Sequence, residues 1–463
     1  MVNEERSATF KEALIMIFLV IAILLIGIIG VGLDAQVPIL LSSCALMVYG
    51  KCILKIRWSD LRDSMTESVS TAIEVMVIIL LIGCTVGSWI SSGTVPMIIY
   101  YGLKIFSVRF FWVSILLICA IMSMVTGSSW TTMGTVGVAF MGVSAGLGLD
   151  SAITAGAIVC GAYFGDKMSP LSDTTNFAAA VGGTDLYKHV KSMIYTTGPA
   201  LVVTAIIFLF MGNNISGTGD MDTINSILSG LSGAFHFNFI LLLPMILMIV
   251  CMIIKFPAIP TLVGCSVIGA ICTIFVQGDS VKNALTYLYS GFIGNTGNEM
   301  IDKLLTRGGM SSMYYTVALM IMSLMMAGLL QRTGVMSALV IRISGITKKV
   351  QGLIFIQLIT GFVLSYIAAD PYLAMLLPAN AYGQKYDELG IDRCVMSRTL
   401  EDSGTLICPM VPWGSNGVYA ASALGVATVS YLPYYFMGFI TPIFSLICAF
   451  TGIGIMKRNI DKK

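Results

Sequence analysis

The sequence predicts an all-α integral membrane protein, with about 10 to 13 membrane-spanning helices in two inverted repeats that contain broken helices and re-entrant hairpins. Three observations lead to this prediction: an apolar composition, long hydrophobic runs and an internal repeat. Of the 463 residues, 57% are hydrophobic and 11% are charged, and the mean hydropathy is +0.90. Because soluble domains carry roughly 25% charged residues, this composition excludes an ordinary water-soluble surface.

Hydrophobic runs are spread over the whole chain and leave no room for a soluble domain of ordinary size. Several approach the roughly 20 residues that are needed to cross a bilayer. The first run has no small-residue cleavage site at its end, so we expect it to be a retained helix. The runs are Ile15–Ile29, Val75–Ile82, Val113–Val125, Leu201–Met211, Phe239–Ile254 and Met313–Leu330.

The distribution of positive charge predicts the orientation and the domains. Lysine and arginine cluster at Lys51–Arg62, Lys188–Lys191, Arg342–Lys349 and the C-terminus, whereas residues 212–237 contain neither. Positively charged loops stay in the cytoplasm. We therefore expect residues 212–237 to be an external linker between two transmembrane halves, 1–211 and 238–463. The C-terminus is then cytoplasmic, and the protein lies in the bacterial cytoplasmic membrane.

An internal repeat relates the two halves. A shift of 242 positions lays Ser123–Val181 over Ser365–Ala423 without a gap, and it pairs Pro170 with Pro412. Since the halves are predicted to have opposite orientation, this pattern indicates inverted repeats, with a transport site at their interface near the middle of the membrane.

Two places in each half are unsuited to a continuous spanning helix. Thr126–Thr132 matches Ala368–Tyr372, and Gly165–Asn176 matches Ile407–Val418. These stretches combine Gly, Pro, Ser, Thr and Asn, and proline interrupts helical hydrogen bonding. Free backbone groups at membrane depth are tolerated only beside protein or a water-filled cavity. We therefore predict hairpin tips at the first pair and broken helices at the second.

The stretch Gly165–Asn176 is the richest in oxygen ligands. A hard cation such as Na⁺ binds oxygen, and a carboxylate in a partly desolvated site can exchange a proton for a cation. We predict that Asp166, Ser172, Asp173 and Thr174 bind Na⁺, with Asp173 as the first candidate. The full set of predicted ion- or substrate-binding residues is Thr126, Ser128, Ser129, Asp166, Ser172, Asp173, Thr174, Thr175, Asn176, Asp370, Glu401, Asp402, Ser415 and Asn416.

Each of these residues also has a structural interpretation. The hydroxyls of the motif can cap half-helices, and Asp370 can be a cap or a ligand. Lys167 can pair with the adjacent Asp166. Arg398 precedes two acids by three and four positions, so it can pair with either of them on one helix face; a structural ion pair and a transport role both remain open. His189 and His236 lie near polar ends and are expected at the surface.

Other functions are less well supported by the sequence. The net charge of +2 gives no reason to expect a nucleic acid as partner, and no GxxxxGK[ST] motif for an ATP-driven pump is present. The eleven cysteines include no C-x-x-C pair and are expected to be small core residues. No nucleophile–base pair or metal cluster for an enzyme is visible. A channel fits paired broken helices less well than alternating access does.

The motif around Pro170 resembles a known family. Gly165–Asn176, followed by Ala178–Ala180, Gly183–Asp185 and Met193–Pro199, resembles the signature of NhaC-type Na⁺/H⁺ antiporters, and the length and hydropathy agree over the whole chain. The resemblance implies an ion-transporter-superfamily fold, a homodimer that moves by an elevator mechanism, and Na⁺ and H⁺ as cargo with no further cofactor. It leaves the cargo open, because some members exchange Na⁺ for H⁺ and close relatives exchange malate and protons for lactate and Na⁺. Exchange of small organic anions or of amino acids therefore remains an alternative.

Overall fold

The computed structural model describes residues 6–70, 73–105, 108–213, 221–254, 256–297, 301–302, 305–344, 349–368 and 370–458. Within these ranges the regular elements are helices, accompanied by two isolated β-bridges. The predicted all-α class is confirmed. Asp220 of the predicted linker, Ala369 of the second hairpin tip, part of the Arg342–Lys349 charge cluster and the basic tail from 459 onward lie outside the described residues.

The helices of the N-terminal part follow one another through short connections. They are α1 (Phe10–Leu25), α2 (Gln36–Val48), α3 (Trp58–Ser70), α4 (Ile73–Ser91), α5 (Thr94–Ile105), α6 (Phe111–Thr126), α7 (Ser129–Thr132), α8 (Val138–Gly146), α9 (Ser151–Met168), α10 (Asp173–Gly182) and α11 (Leu186–Asn213). Short π-helical segments are Ile26–Gly30, Tyr49–Ile53 and Met133–Gly137.

The C-terminal part begins after the predicted linker, part of which forms a helix. The α-helices are α12 (Met221–Ala234), α13 (Leu243–Ile253), α14 (Ala258–Phe275), α15 (Val281–Ser290), α16 (Tyr314–Arg332), α17 (Val335–Ser344), α18 (Val350–Ala368), α19 (Pro371–Glu388), α20 (Arg393–Ser403), α21 (Ser415–Leu424), α22 (Thr428–Tyr431) and α23 (Phe436–Thr451). Short 3₁₀ turns occur at Val108–Phe110, Phe239–Leu242, Met310–Met313, Cys408–Met410 and Leu432–Tyr434.

The chain is a multi-pass membrane protein. Among the described residues, 6 helices are long and apolar enough to cross a membrane, and up to 9 if each bent helix pair is one span. Large apolar side chains point outward, including Phe239 at 85% exposure and Phe275 at 81%, which suits contact with lipid. The predicted 10 to 13 spans and the inverted orientation of the repeats stay predictions. The six spans are Phe10–Ile28, Gln36–Ile53, Val108–Thr126, Leu186–Asn213, Met310–Arg332 and Val350–Ala368.

The repeat that the sequence indicates is also visible in the ends of the helices. Under the shift of 242 positions, the first and last residues of α10 fall on those of α21. The first residue of α9 likewise falls on the first residue of α20. Asp150 caps α9 and Asp392 caps α20. Gly183 ends α10 and Gly425 ends α21, both in the left-handed conformation, with φ of 68° and 70°. The two halves therefore place helix starts and stops by the same local signals.

The predicted helix breaks are confirmed, and local chemistry explains them. Gly127 ends α6 with a φ of 70°, a conformation that favours glycine. Ser128 then caps α7 by accepting from the amide of Thr131 at 3.2 Å. In the second half, Asp370 accepts from the amide of Leu373 at 2.8 Å, and Pro371 occupies the first position of α19. Polar caps thus satisfy the backbone groups that each break exposes.

The glycines of α9 allow α6 to approach closely, as the G-x-x-x-G spacing predicts. A Cβ atom on Gly161 would collide with the carbonyl oxygen of Leu116 and approach the Cβ of Cys119 to 2.8 Å. A Cβ on Gly165 would likewise collide with the backbone of α6 at Ala120. Because backbone atoms cannot move aside as a flexible side chain can, these glycines fix the spacing between the two helices.

We expect Gly161→Ala to destabilise the protein by about 1 to 3 kcal/mol, the usual cost of overpacking. The added methyl group forces α6 and α9 apart. The measurement is thermal unfolding of the purified protein in detergent. Gly264→Ala in α14 is the matched control, since a Cβ there meets only Leu247 at an ordinary 3.5 Å. Equal unfolding temperatures for the two variants would contradict the close approach of the helices.

Candidate functional site

A cavity of about 1540 Å³ lies where the helix breaks meet. It is lined by the tip between α6 and α7, the break between α9 and α10, the start of α19 and the start of α21. The structure therefore brings all four predicted helix breaks to one space. Ten of the predicted site residues line it: Thr126, Ser128, Ser129, Asp166, Asp173, Thr174, Asn176, Asp370, Ser415 and Asn416.

Asp166 is the buried acid of the cavity. It lies in the last turn of α9 and is 5% exposed. Its Oδ2 accepts a hydrogen bond from the hydroxyl of Ser129 at 2.6 Å. Its Oδ1 is buried and has no partner among the described residues. A buried carboxylate oxygen without a partner is costly unless a proton or a cation occupies it.

Asp173 occupies the first position of α10 and is exposed. One carboxylate oxygen accepts from the hydroxyl of Tyr372 at 2.5 Å, and the other accepts from the amide of Thr174 at 2.9 Å. The carboxylate also lies at a helix N-terminus, where negative charge is favourable. Asp173 therefore has bonds that hold both of its oxygens in place, whereas one oxygen of Asp166 has no partner in the described part of the chain.

Aromatic side chains connect the two repeats across the cavity. Trp130 of α7 stacks on Tyr419 of α21, with ring centroids 4.3 Å apart, and donates to the Oδ1 of Asn416 at 2.7 Å. Tyr163 donates to the same oxygen at 2.8 Å. The shift of 242 positions pairs Trp130 with Tyr372, which donates to Asp173, the residue before the equivalent of Asn416. The set of site residues predicted from the sequence contains oxygen ligands and none of these aromatic residues. The alignment of the two repeats could have indicated them, because it pairs Trp130 with Tyr372.

Two predicted site residues, Ser172 and Thr175, do not line the cavity. They stabilise the break between α9 and α10. Ser172 caps α10 and shares a hydrogen bond of 3.0 Å with Thr174. Thr175 donates its hydroxyl to the carbonyl of Lys167 at 3.1 Å, which satisfies a carbonyl at the end of α9. The capping interpretation of these hydroxyls is therefore confirmed.

Glu401 and Asp402 lie in a separate, fully buried polar region. Lys167 forms an ion pair with Asp402, and both side chains are 0% exposed. The hydroxyl of Thr196 also donates to Asp402, at 3.2 Å. Lys167 therefore pairs with the second repeat and not with the adjacent Asp166. Adjacent residues on a helix point in different directions, so Asp166 faces the cavity while Lys167 faces α11 and α20.

The ion pair that helix spacing allows between Arg398 and Glu401 or Asp402 is not formed among the described residues. Arg398 donates to the backbone carbonyls of Ser192 at 3.3 Å and Gly454 at 3.0 Å. The guanidinium is directed at α11 and at the segment after α23, which leave carbonyls in its reach. Helix spacing allowed a pair on one face, but the neighbouring segments supply the partners.

The predicted surface position of His189 is also wrong. Its ring is 0% exposed, and Nδ1 shares a hydrogen bond of 2.7 Å with the hydroxyl of Ser397. The residue lies one turn inside α11, on the side that α20 covers. His236 is exposed, as predicted.

The cavity is strongly acidic. Besides Asp166, Asp173 and Asp370, its described lining includes three acids of α3, and its basic residue is Arg332, which donates to Asp60 at 3.0 Å. Acidic linings raise the local concentration of cations and repel anions. The three acids of α3 are Asp60, Asp63 and Glu67, which we call the acidic rim.

A helical membrane protein with a large charged cavity between paired helix breaks has the architecture of a secondary transporter. The profile of the Na⁺/H⁺ antiporter family matches residues 161–453. The chain belongs to this family.

Relatives extend over the whole chain but differ in what they carry. The chain is 38% identical to the Na⁺/H⁺ antiporter NhaC of Alkalihalophilus pseudofirmus, with 98% of each chain covered. It is 35% identical to the malate-2H⁺/Na⁺-lactate antiporter of Bacillus subtilis, with 99% of each covered. It is 34% identical to the arginine/ornithine antiporter ArcD of Halobacterium salinarum, with 97% of this chain and 93% of the relative covered. These relatives are transporters, so family membership supports antiport but does not select the cargo.

Proposed function

We propose that this protein exchanges Na⁺ for H⁺ across the cytoplasmic membrane by alternating access, as a transporter and not an enzyme, with the C-terminus inside. The single observation that carries the proposal is the Oδ1 of Asp166, a buried carboxylate oxygen without a described partner at the lining of an acidic cavity. Such an oxygen favours either a proton or a cation. Because one carboxylate takes only one of them at a time, occupancy is mutually exclusive, which is the basis of antiport.

The proposed Na⁺ site is built from oxygens at the breaks. Asp166 supplies the charge, and the hydroxyl of Ser129, which already contacts it at 2.6 Å, supplies a neutral oxygen. Asp173 and Thr174 line the same cavity, and Ser172 lies beside them. Na⁺ is the cargo in this proposal, and no further cofactor is required. By family resemblance we also propose inverted repeats, a homodimer and an elevator movement.

The acidic lining favours a cation over an organic anion as cargo. A dicarboxylate such as malate would enter a cavity whose described lining holds six acids, with Arg332, which donates to Asp60, as its basic residue. A cationic amino acid is the second candidate, because the name of one relative specifies arginine and ornithine and the cavity volume accommodates such a molecule. Both candidates agree with the charge of the cavity, and transport measurements separate them.

We expect apparent Na⁺ affinity to fall about tenfold per pH unit below the pKa of the shared carboxyl, while the maximal rate is recovered at saturating Na⁺. Competition changes which ion occupies the site and not the movement of the carrier. The measurement is Na⁺ uptake into proteoliposomes as a function of Na⁺ concentration, over about pH 6 to 9.

The same vesicles test the cargo. Internal malate, lactate or arginine should not accelerate Na⁺ flux if Na⁺ and H⁺ are the exchanged ions. Acceleration by arginine would select the cationic amino acid, and acceleration by malate or lactate would select the anion exchanger. A Na⁺ affinity that does not change with pH would contradict the shared site.

A further inference from the structure

A buried polar stripe connects the protein surface with the interior of the transporter, between α11 and α20. At its outer end Lys188, 49% exposed, forms an ion pair with Asp392. His189 then bonds Ser397, and at its inner end Thr196 bonds Asp402, which pairs with Lys167. We call this the interior stripe; its residues are Lys188, His189, Ser192 and Thr196 of α11 and Asp392, Ser397, Arg398, Glu401 and Asp402 at and within α20.

Glu401 is the residue of the stripe that the proposed Na⁺ site does not use. It is 0% exposed, and neither of its carboxylate oxygens has a hydrogen-bond partner among the described residues. Lys167, whose charge acts on Glu401, is already paired with Asp402. An ionised carboxylate in this position would cost several kcal/mol, so burial favours the protonated acid in this conformation.

Arg398 of the same helix offers a positive charge that suits an ionised Glu401. Arg398 precedes Glu401 by three positions, so the two side chains lie on one helix face. Its Nη1 contacts carbonyls, while Nε and Nη2 are buried without a described partner. A change of side-chain conformation would therefore let Arg398 pair with Glu401 once the proton has left. Glu401 thus has two chemically reasonable states, a neutral unpaired acid and an ionised acid paired with Arg398.

Other polar groups of the interior stripe are also buried without a described partner, which suits a path for a proton. The Oγ of Ser192, the Nε2 of His189 and the Oδ2 of Asp402 are buried and have no described partner, and groups of this kind commonly bind internal water. Thr405, four positions after Glu401, lines the cavity. The stripe therefore extends from the surface pair Lys188–Asp392 to the edge of the cavity.

We propose that Glu401 is a second proton-carrying acid, separate from the Na⁺ site at Asp166, and that two protons exchange for each Na⁺. The inference rests on the proposed function and adds a residue to it. In the Na⁺-bound form, Asp166 and Glu401 are both ionised, with Na⁺ at the first and Arg398 at the second. In the returning form each holds one proton. One positive charge moves out as Na⁺ and two move in as H⁺, so each cycle transfers one net charge.

Burial is the largest influence on the titration of Glu401. The charge of Lys167 on α9 and the nearby hydroxyl of Thr405 act next, followed by the charges of Asp166 on α9 and Asp402 on α20. Further titratable groups lie on α20 and on the elements packed against it. They are Arg393, Cys394 and Arg398 of α20; Tyr187, Lys188, His189, Lys191 and Tyr195 of α11; Asp173 of α10; Tyr366 of α18; Tyr372, Tyr382, Lys385, Tyr386, Asp387 and Glu388 of α19; and Cys448 of α23.

The test compares Glu401→Gln with the unmodified protein in proteoliposomes. Gln imitates the protonated acid but cannot release a proton. We expect Na⁺/Na⁺ exchange without a pH gradient to stay within about twofold, because the cation site is intact. We expect the response of Na⁺ flux to an imposed membrane potential to disappear, because each cycle of the variant moves one Na⁺ against one H⁺.

Controls separate this inference from the proposed function and from misfolding. Glu401→Asp retains a titrating acid and should keep the voltage response, as should Glu388→Gln, an exposed acid paired with Lys385. Loss of Na⁺/Na⁺ exchange in Asp166→Asn tests the Na⁺ site independently. The proposal is overturned by a voltage response in Glu401→Gln or by electroneutral transport in the unmodified protein. If Glu401→Gln does not fold, the proton-to-Na⁺ ratio of the unmodified protein decides, and a ratio of one overturns it.

Discussion

Asp166→Asn is expected to abolish both Na⁺/H⁺ and Na⁺/Na⁺ exchange and to weaken Na⁺ binding on the order of 100-fold. The substitution keeps the shape of the side chain and its contact with Ser129 but removes the charge. Truncating one partner of a buried, hydrogen-bonded charge pair costs about 2 to 5 kcal/mol, and 100-fold corresponds to about 2.7 kcal/mol. The measurement is Na⁺ binding to the purified protein by calorimetry, together with Na⁺ flux in proteoliposomes.

The matched control is Asp150→Asn, the same substitution at the other end of α9. Asp150 caps the helix by accepting from the amide of Ala152 at 2.7 Å, and asparagine caps as well as aspartate. Its transport should therefore be unchanged. Asp173→Asn should have a smaller effect than Asp166→Asn, because Asp173 is exposed and its charge is screened by water. Unchanged Na⁺ binding in Asp166→Asn would remove this residue from the site, and a larger effect at Asp173 would move the cation to the start of α10.

Lys167→Met is expected to destabilise the protein by about 3 to 5 kcal/mol. The substitution leaves the carboxylate of Asp402 fully buried, with the hydroxyl of Thr196 as its remaining partner among the described residues. The cost arises from the uncompensated charge and not from lost packing, since methionine has nearly the same length and apolar volume as the lysine stem. The measurement is thermal unfolding in detergent, with and without Na⁺.

A double substitution separates charge from packing. Lys167→Met combined with Asp402→Leu removes both charges, so it should recover more than half of the stability that the single change loses. Lys385→Met is the exposed counterpart, since Lys385 and Glu388 are 38% and 46% exposed, and it should cost less than about 1 kcal/mol. If the double variant is as unstable as the sum of the single changes, the ion pair is not the source of the effect.

Features that depend on neighbouring residues in the chain could be predicted from the sequence. Pro170 and Gly127 predict helix breaks because one lacks an amide hydrogen and the other adopts a positive φ, and the structure places breaks at both. The shift of 242 positions predicts equivalent elements, because the same caps and glycines recur at the same spacing. Most residues of the candidate site follow from these breaks, since polar backbone at membrane depth has to face protein or water.

The contacts between one helix and another could not be predicted from the sequence and became known only from the tertiary structure. Helix periodicity gives the direction of a side chain along its own helix but not the segment that packs there. Helix spacing allows Arg398 to pair with Glu401 or Asp402, whereas its partners are carbonyls of α11 and of the chain after α23. The sequence likewise predicts His189 at the surface, although α20 covers it.

The sequence by itself determined the membrane location, the helical class, the positions of the breaks and the family, because composition and local chemistry along the chain are sufficient for these. Only the tertiary structure decided that Asp166 faces an acidic cavity while Lys167, the next residue, pairs with Asp402 in the other repeat. It also placed Trp130 on Tyr419 and Tyr372 on Asp173. These contacts join residues about 200 positions or more apart, and packing of whole helices, which no local pattern records, brings them together.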